Sequence, residues 1–225
     1  MRRSRGRAGV GIGLFAAVWA AIAVFPTSLS REPAPAWPPS AGLEQPEWQG
    51  MVERVELQIG SRGLPLSSAE IARIAEVIVL EAEAARLDPL LVMALIQVES
   101  SFDPGALSHR GARGLMQLRE PTLRRELARS GIACPDLHDP VANVQAGVRY
   151  LRRLMNAFGR EEIALMAYNA GPNRILAYLR EGGIPDRFHV YPRRVRAELR
   201  RLRRSLGEEP GPKVALAARP VKAGE

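Results

Sequence analysis

The sequence predicts an all-α domain flanked by segments of a different character, and three observations carry that reading. Helix-opening signals recur at Ser67, Asp88 and Asp139, apolar residues between them repeat at helical spacing, and no run shows the alternation of a half-buried strand. From Glu47 to Ile59 the pattern permits a short amphipathic helix. Ser67-Ser68-Ala69-Glu70 is a capping box that opens a helix running to about Arg86, and the folded domain is expected to span residues 67–206. Asp88 caps the next helix, with Pro89 at its first position and the run DPLLVMALIQVESS carrying it to Ser101. A loop through Gly114 leads to a short helix from about Pro121 to Arg129. Asp139-Pro140 starts another that ends near Phe158-Gly159. Glu161 to Asn169, Asn173 to Arg180 and an arginine-rich helix from about Pro192 to Leu206 complete the set.

The ends differ. Residues 1–30 place Arg2, Arg3, Arg5 and Arg7 before an apolar run from Ala8 to Phe25, the order of a secretory signal peptide, and that run is also long enough to serve as a signal anchor in an inner membrane. Ser28-Leu29-Ser30 offers a small-residue cleavage site. No cysteine closes the run to accept a lipid. Residues 31–66 read as a proline-rich linker and a poorly defined N-terminal segment, and residues 207–225 as a disordered tail.

With 225 residues and these ends set aside, the chain has room for a single modest core. The single cysteine, Cys134, excludes an internal disulfide. It sits in a turn without ligand-spaced neighbours, and His109, His138 and His189 are scattered, so neither a metal site nor a cofactor is expected. A net charge of +8 raises the question of nucleic acid, but the arginines are spread over several segments without interleaved stacking aromatics. For an exported chain, an acidic envelope polymer is the fitting partner.

One carboxylate stands out. Glu99 lies in the last turn of the otherwise apolar helix that Asp88 opens, where burial and the helix C-terminal dipole both disfavour the anion. Such an acid holds its proton near neutral pH, as general acid catalysis on a poor leaving group requires. On this segment alone, a Glu99 that turns to solvent at the helix end explains the pattern equally well.

Downstream, Gly114-Leu115-Met116-Gln117 and Ala167-Tyr168-Asn169-Ala170-Gly171 are small-residue turns that carry polar groups. Together with Glu99-Ser100, and in this order, they resemble the motifs of the Slt-type lytic transglycosylases, bacterial enzymes that cut peptidoglycan glycan strands on a lysozyme-like fold. The helix DPVANVQAGVRYL matches the usual connecting helix of that family. The resemblance spans about Ala85 to Arg204.

It implies that Glu99 protonates the β-1,4 glycosidic oxygen between N-acetylmuramic acid and N-acetylglucosamine, then acts as base while the muramoyl C6 hydroxyl closes a 1,6-anhydro ring. Ser100 is expected to orient the acetamido group or the carboxyl, unless it bonds the local backbone. Gln117 resembles the sugar-binding amide, and Met116 would floor the cleft, although on its own it reads as a core residue. Tyr168 resembles the tyrosine whose hydroxyl reaches the catalytic carboxyl, and Asn169 the residue that contacts the substrate amide. Tyr191 matches a further cleft tyrosine more loosely. A second carboxylate is not evident: Asp103-Pro104 reads as a turn, and Glu120, Asp136, Asp139, Glu161 and Glu162 sit where helix starts explain them. Two other readings stay open, a goose-type lysozyme-like hydrolase and a peptidoglycan-binding scaffold of a secretion or flagellar assembly. The compartment expected is the periplasm or cell envelope.

Overall fold

Ser67 opens the second of eight α-helices in a computed structural model that describes residues 46–132, 136 and 138–207. All of these belong to one unit, Pro33–Glu225. The expected signal segment, residues 31–45 of the segment read as a linker, Cys134 and the tail beyond Gly207 lie outside the described residues.

The helices are α1 (Pro46–Gly60), α2 (Ser68–Ala84), α3 (Pro89–Ser100), α4 (Glu120–Arg129), α5 (Pro140–Phe158), α6 (Glu161–Ala170), α7 (Pro172–Arg180) and α8 (Val190–Ser205). A 3-10 turn, Asp186–His189, leads into α8. Their starts are fixed by the groups the sequence offers. The Ser67 hydroxyl accepts from the Glu70 amide at 3.3 Å while the Glu70 carboxylate accepts from the Ser67 amide at 2.8 Å, the reciprocal pairing of a capping box. Asp88 accepts from the Leu90 amide at 2.8 Å, and Asp139 from the Val141 amide at 3.1 Å. Gly159, at φ +67°, ends α5 in the left-handed conformation that glycine adopts without strain.

α3 is the centre of the packing. Leu90 through Ile96 are buried without interruption, so the middle of the helix is covered on every side. α8 runs antiparallel along it: Arg203 near the end of α8 bonds Asp88 at the start of α3 at 2.6 Å, while Tyr191 in the first turn of α8 meets Glu99 in the last turn of α3. α2 packs on α1, α3 and α5, and α5 on α2, α4 and α6.

Two boundaries differ from the sequence reading. α1 buries Val52, Val55 and Ile59 in the same core as α2, so the packed structure reaches well before Ser67. The apolar side of a lone amphipathic helix needs a partner, and α2 supplies it. α8 starts earlier than expected, at Val190, because Pro192 sits in the first turn, where its missing amide hydrogen has no intrahelical acceptor to lose.

A pair of two-residue strands was not expected. β1 (Ala112–Arg113) pairs antiparallel with β2 (Leu118–Arg119), in the register Ala112 to Arg119 and Arg113 to Leu118. The hairpin tip between them is Gly114-Leu115-Met116-Gln117.

Candidate active site

Glu99 reaches its position because the chain breaks sharply behind it. Ser101 and Phe102 take φ values of 55° and 66°. Two successive non-glycine residues thus lie in the left-handed region, each at a cost of about 1–3 kcal/mol. Phe102 is fully buried, and its burial holds the turn against that cost. Glu99 is left half-buried, with the Tyr191 hydroxyl donating to its Oε1. Burial pushes its carboxyl up to about 7, and the Tyr191 hydrogen bond and the charge of Arg194 only partly oppose this. The shift runs in the direction expected from the sequence, with desolvation as its main cause.

The hairpin tip is held beside this acid by three helices. From α3, the Ser100 hydroxyl donates to the Leu115 carbonyl at 2.8 Å, with the Ile96 carbonyl at 3.3 Å. From α6, the Tyr168 hydroxyl donates to the Met116 carbonyl at 2.9 Å. From α5, Asn143 accepts from the Met116 amide at 2.8 Å and donates to the Arg113 carbonyl at 3.0 Å. Close approach demands glycine at two places. A Cβ on Gly114 would lie 2.6 Å from Asn143 Nδ2, and one on Gly147 would lie 2.3 Å from Met116 Sδ.

These contacts redistribute the expected roles. Tyr191, and not Tyr168, reaches the carboxyl, because the Tyr168 hydroxyl is engaged by the Met116 backbone. Burial and the nearby Glu99 carboxyl both push the Tyr168 phenol well above its ordinary range. Met116 exposes none of its surface: its side chain fills the space left by Gly147, so it packs the core and offers no face to a ligand. Ser100 bonds the Leu115 carbonyl of the hairpin tip, with the local Ile96 carbonyl also within reach. Gln117, at φ +47° and half-buried, directs its Nε2 to the Ala106 and Gly114 carbonyls at 3.1 and 3.0 Å. Asn169 is exposed at the end of α6. Asn143 and Gly147 were not singled out from the sequence. Their signal was an i, i+4 pair, one polar and one side-chain-free, on the inner face of an amphipathic helix.

The acids near the motif residues are engaged. Asp103 accepts from the Gly105 amide at 2.8 Å, a turn contact. Glu162 pairs with His189 at 2.7 Å and Glu161 with Arg196 at 3.1 Å, while Glu120 pairs with Arg124 at 2.8 Å. Buried Glu81 is gripped by two nitrogens of Arg149 at 2.7 and 2.9 Å, and buried Glu126 by Arg153. Among the described residues no group of three or more His, Cys, Asp or Glu is arranged to hold a metal ion. The arrangement thus presents one acid with a raised pKa at the end of α3, next to a hairpin tip hydrogen-bonded from three helices.

The sequence model named Transglycosylase SLT domain matches residues 76–189, just over half of the chain. A transglycosylase of Enterobacteria phage PRD1 is 36% identical over 88 residues, which are 39% of this chain and 31% of the relative. Membrane-bound lytic murein transglycosylase C of Salmonella arizonae is 35% identical over 103 residues, 40% of this chain and 29% of the relative. The chain therefore spans about a third or less of these relatives' length. Among solved structures, an inactive mutant of the lytic transglycosylase Slt from Pseudomonas aeruginosa aligns with a TM-score of 0.53 at 20% identity, covering 72% of this chain and 38% of that one. The 70 kDa soluble lytic transglycosylase from Escherichia coli aligns at 0.52 and 22% identity, covering 73% and 31%. At such identities the likeness establishes the fold, which is lysozyme-like.

Proposed function

We propose that this chain, which belongs to the transglycosylase SLT domain family, cleaves the β-1,4 bond between N-acetylmuramic acid and N-acetylglucosamine in peptidoglycan and releases a 1,6-anhydro-N-acetylmuramic acid end. The observation that carries this reading is the environment of Glu99: a carboxyl that burial pushes up to about 7, while Asp103, the nearest acid in sequence, accepts from the Gly105 amide of its own turn.

Tyr191 donates to Oε1, which leaves Oε2 to carry the acidic proton toward the substrate. Glu99 gives that proton to the glycosidic oxygen as the C1–O bond breaks, and the substrate's acetamido oxygen stabilises the positive anomeric carbon. The carboxylate so formed removes the proton from the C6 hydroxyl, whose oxygen bonds to C1. Glu99 is protonated again and no water is consumed. A retaining hydrolase would need a second carboxylate about 5–5.5 Å from the first, and an inverting one about 6.5–9.5 Å away. Asp103, the nearest acid in sequence, is bound to its own turn.

In this reading Gln117 and Asn169 contact the sugars at the hairpin tip and the end of α6, and Ser100 and Tyr168 keep the tip in place. Residues 1–30 direct export, through cleavage or as an inner-membrane anchor, so the enzyme meets its polymer in the periplasm or cell envelope. No helix among the described residues is long and apolar enough to cross a membrane. Digestion of purified peptidoglycan in heavy-oxygen water tests the chemistry. An unlabelled muramic end lighter by one water is expected, and a labelled end would make the protein a hydrolase.

A further inference from the structure

The loop between α1 and α2 sends one long side chain into the region behind Glu99. Arg62 has a side-chain exposure of 15%, and its contacts converge on the last turn of α3. Its Nε donates to the Gln58 carbonyl at 3.0 Å, its Nη1 donates to Gln97 Oε1, and its guanidinium carbon lies 4.8 Å from the centroid of the Phe102 ring. Gln97 and Phe102 bracket Glu99 in sequence, one before it and one after. The remaining nitrogen, Nη2, is buried without a hydrogen bond and lies 3.8 Å from Glu198 Oε1, a carboxylate that Arg201 already holds at 2.6 and 2.8 Å.

This is an expensive way to fill space. A part-buried cation with one buried, unbonded donor, facing a second arginine that weakens its counter-charge, is commonly matched or bettered in stability by an apolar side chain of similar volume. What an apolar residue lacks is the combination found here, a planar cation stacked on one flank of Glu99 and a donor to the other. Both Arg62 and Glu198 lie outside residues 76–189, so this support comes from beyond the matched segment.

We propose that Arg62 is a positioning residue for Glu99: by bonding Gln97 and covering Phe102 it clamps the strained turn that keeps the carboxyl half-buried against Tyr191. The proposal rests on Glu99 being the reacting acid, but its test does not need turnover. The titration of Glu99, followed by carboxyl NMR or infrared difference against Glu99→Gln, is compared in wild type, Arg62→Gln and Arg62→Lys. Tyr191 and Arg194 of α8 and Tyr168 of α6 face the same carboxyl and are unchanged in these variants.

The sign is diagnostic. Removing a cation raises a carboxyl's pKa, whereas releasing the turn to solvent lowers it. Arg62→Gln is expected to move Glu99 downward, toward the ordinary carboxylate range. Arg62→Lys keeps the charge but not the planar face, so it should move Glu99 the same way by less, and it decides the matter should Arg62→Gln fail to fold. Turnover is expected to fall about tenfold or more with KM little changed, as for a misplaced reacting group. A Glu99 titration that stays in place or rises in a folded variant overturns the proposal, even if melting temperature drops. A wild type that releases no anhydro product would instead sink the functional reading, while the titration would still judge the clamp.

Discussion

Tyr191 donates its phenolic proton to Oε1 of Glu99, and the two residues lie at the paired ends of antiparallel helices, the first turn of α8 and the last turn of α3. At the opposite ends of the same helices Arg203 bonds Asp88, so α8 is fastened to α3 at both extremities. Tyr191 lies just beyond the segment that matches the family, yet it touches the carboxyl proposed to react. Its bond favours the charged form of Glu99 and burial disfavours it. The balance places the carboxyl at about 7, where one group can give a proton and then take one.

Replacing Tyr191 and Tyr168 by phenylalanine should therefore have different consequences. Tyr191→Phe removes a donor that stabilises the carboxylate, so the pKa of Glu99 rises and the alkaline limb of kcat/KM moves to higher pH. Tyr168→Phe removes the donor to the Met116 carbonyl, costing about 1 kcal/mol of stability and leaving the limb close to its wild-type position. Matched pH profiles and melting curves of the two variants check this. A limb that moves with Tyr168→Phe and not with Tyr191→Phe would restore the assignment first read from the sequence.

Glu99→Gln is expected to lower turnover by more than about a hundredfold, since the amide has no acidic proton to give. It should also change how stability depends on pH. The folded carboxyl titrates near 7 and the unfolded one near 4.5, so the fold holds the proton more tightly and wild-type stability declines as pH rises between these values. Below that window the acid is protonated in both states and the penalty vanishes. Above it the penalty is at most about 3 kcal/mol, since each pKa unit corresponds to about 1.36 kcal/mol. Glu99→Gln should thus gain stability relative to wild type on going from pH 4 to pH 8. Denaturant unfolding at several pH values measures that gain, and parallel curves would show that Glu99 is not held protonated.

Much of this was legible in the chain because helix ends are written in local chemistry. Ser67 with Glu70, Asp88 with Pro89, and Asp139 with Gly159 mark the helix boundaries, and such signals depend on neighbours a few residues away. The acid at the end of α3 was legible for the same reason, since its apolar surroundings are contiguous in sequence. The hairpin was not, because two-residue strands are too short to alternate. Nor was the choice between Tyr168 and Tyr191, which depends on whether a hydroxyl at the end of a buried ring meets a backbone carbonyl or a carboxyl. Met116 was misplaced for a related reason. Whether a methionine lies under the hairpin or above it is decided by Gly147, far along the chain in the middle of α5.

Asn143 is expected to matter more than its position inside a connecting helix suggests. Its side chain serves both the Met116 amide and the Arg113 carbonyl, and it is itself buried. Asn143→Leu leaves the buried Met116 amide without its acceptor, a cost of about 1–3 kcal/mol. It also frees the hairpin tip, so KM for glycan strands should rise. Melting temperature together with steady-state kinetics tests this; a variant that loses stability at unchanged KM would detach the tip from substrate binding.

Gly147→Ala provides the sharpest test of how the hairpin is seated. In an exposed helix interior, replacing glycine by alanine stabilises by about 1 kcal/mol. Here the new methyl would lie 2.3 Å from Met116 Sδ, 2.8 Å from its Cβ and 2.9 Å from its Cε. The sulfur and terminal methyl can swing away, but Cβ moves only with the backbone, and that backbone is tied to Asn143 on one side and Tyr168 on the other. Overpacking of this kind costs about 1–3 kcal/mol, which outweighs the helical gain. Gly147→Ala should therefore be less stable than wild type. Its activity should fall through displacement of the tip while Glu99 titrates as before, because α3 and α8 are not pushed. A double-mutant cycle supplies the control: Gly147→Ala should cost less stability in a Met116→Ala background than in wild type, because the sulfur and terminal methyl that crowd it are then gone. If Gly147→Ala alone proves as stable as wild type or better, Met116 does not fill the space beside α5, and the rigid seat argued for the hairpin tip is wrong.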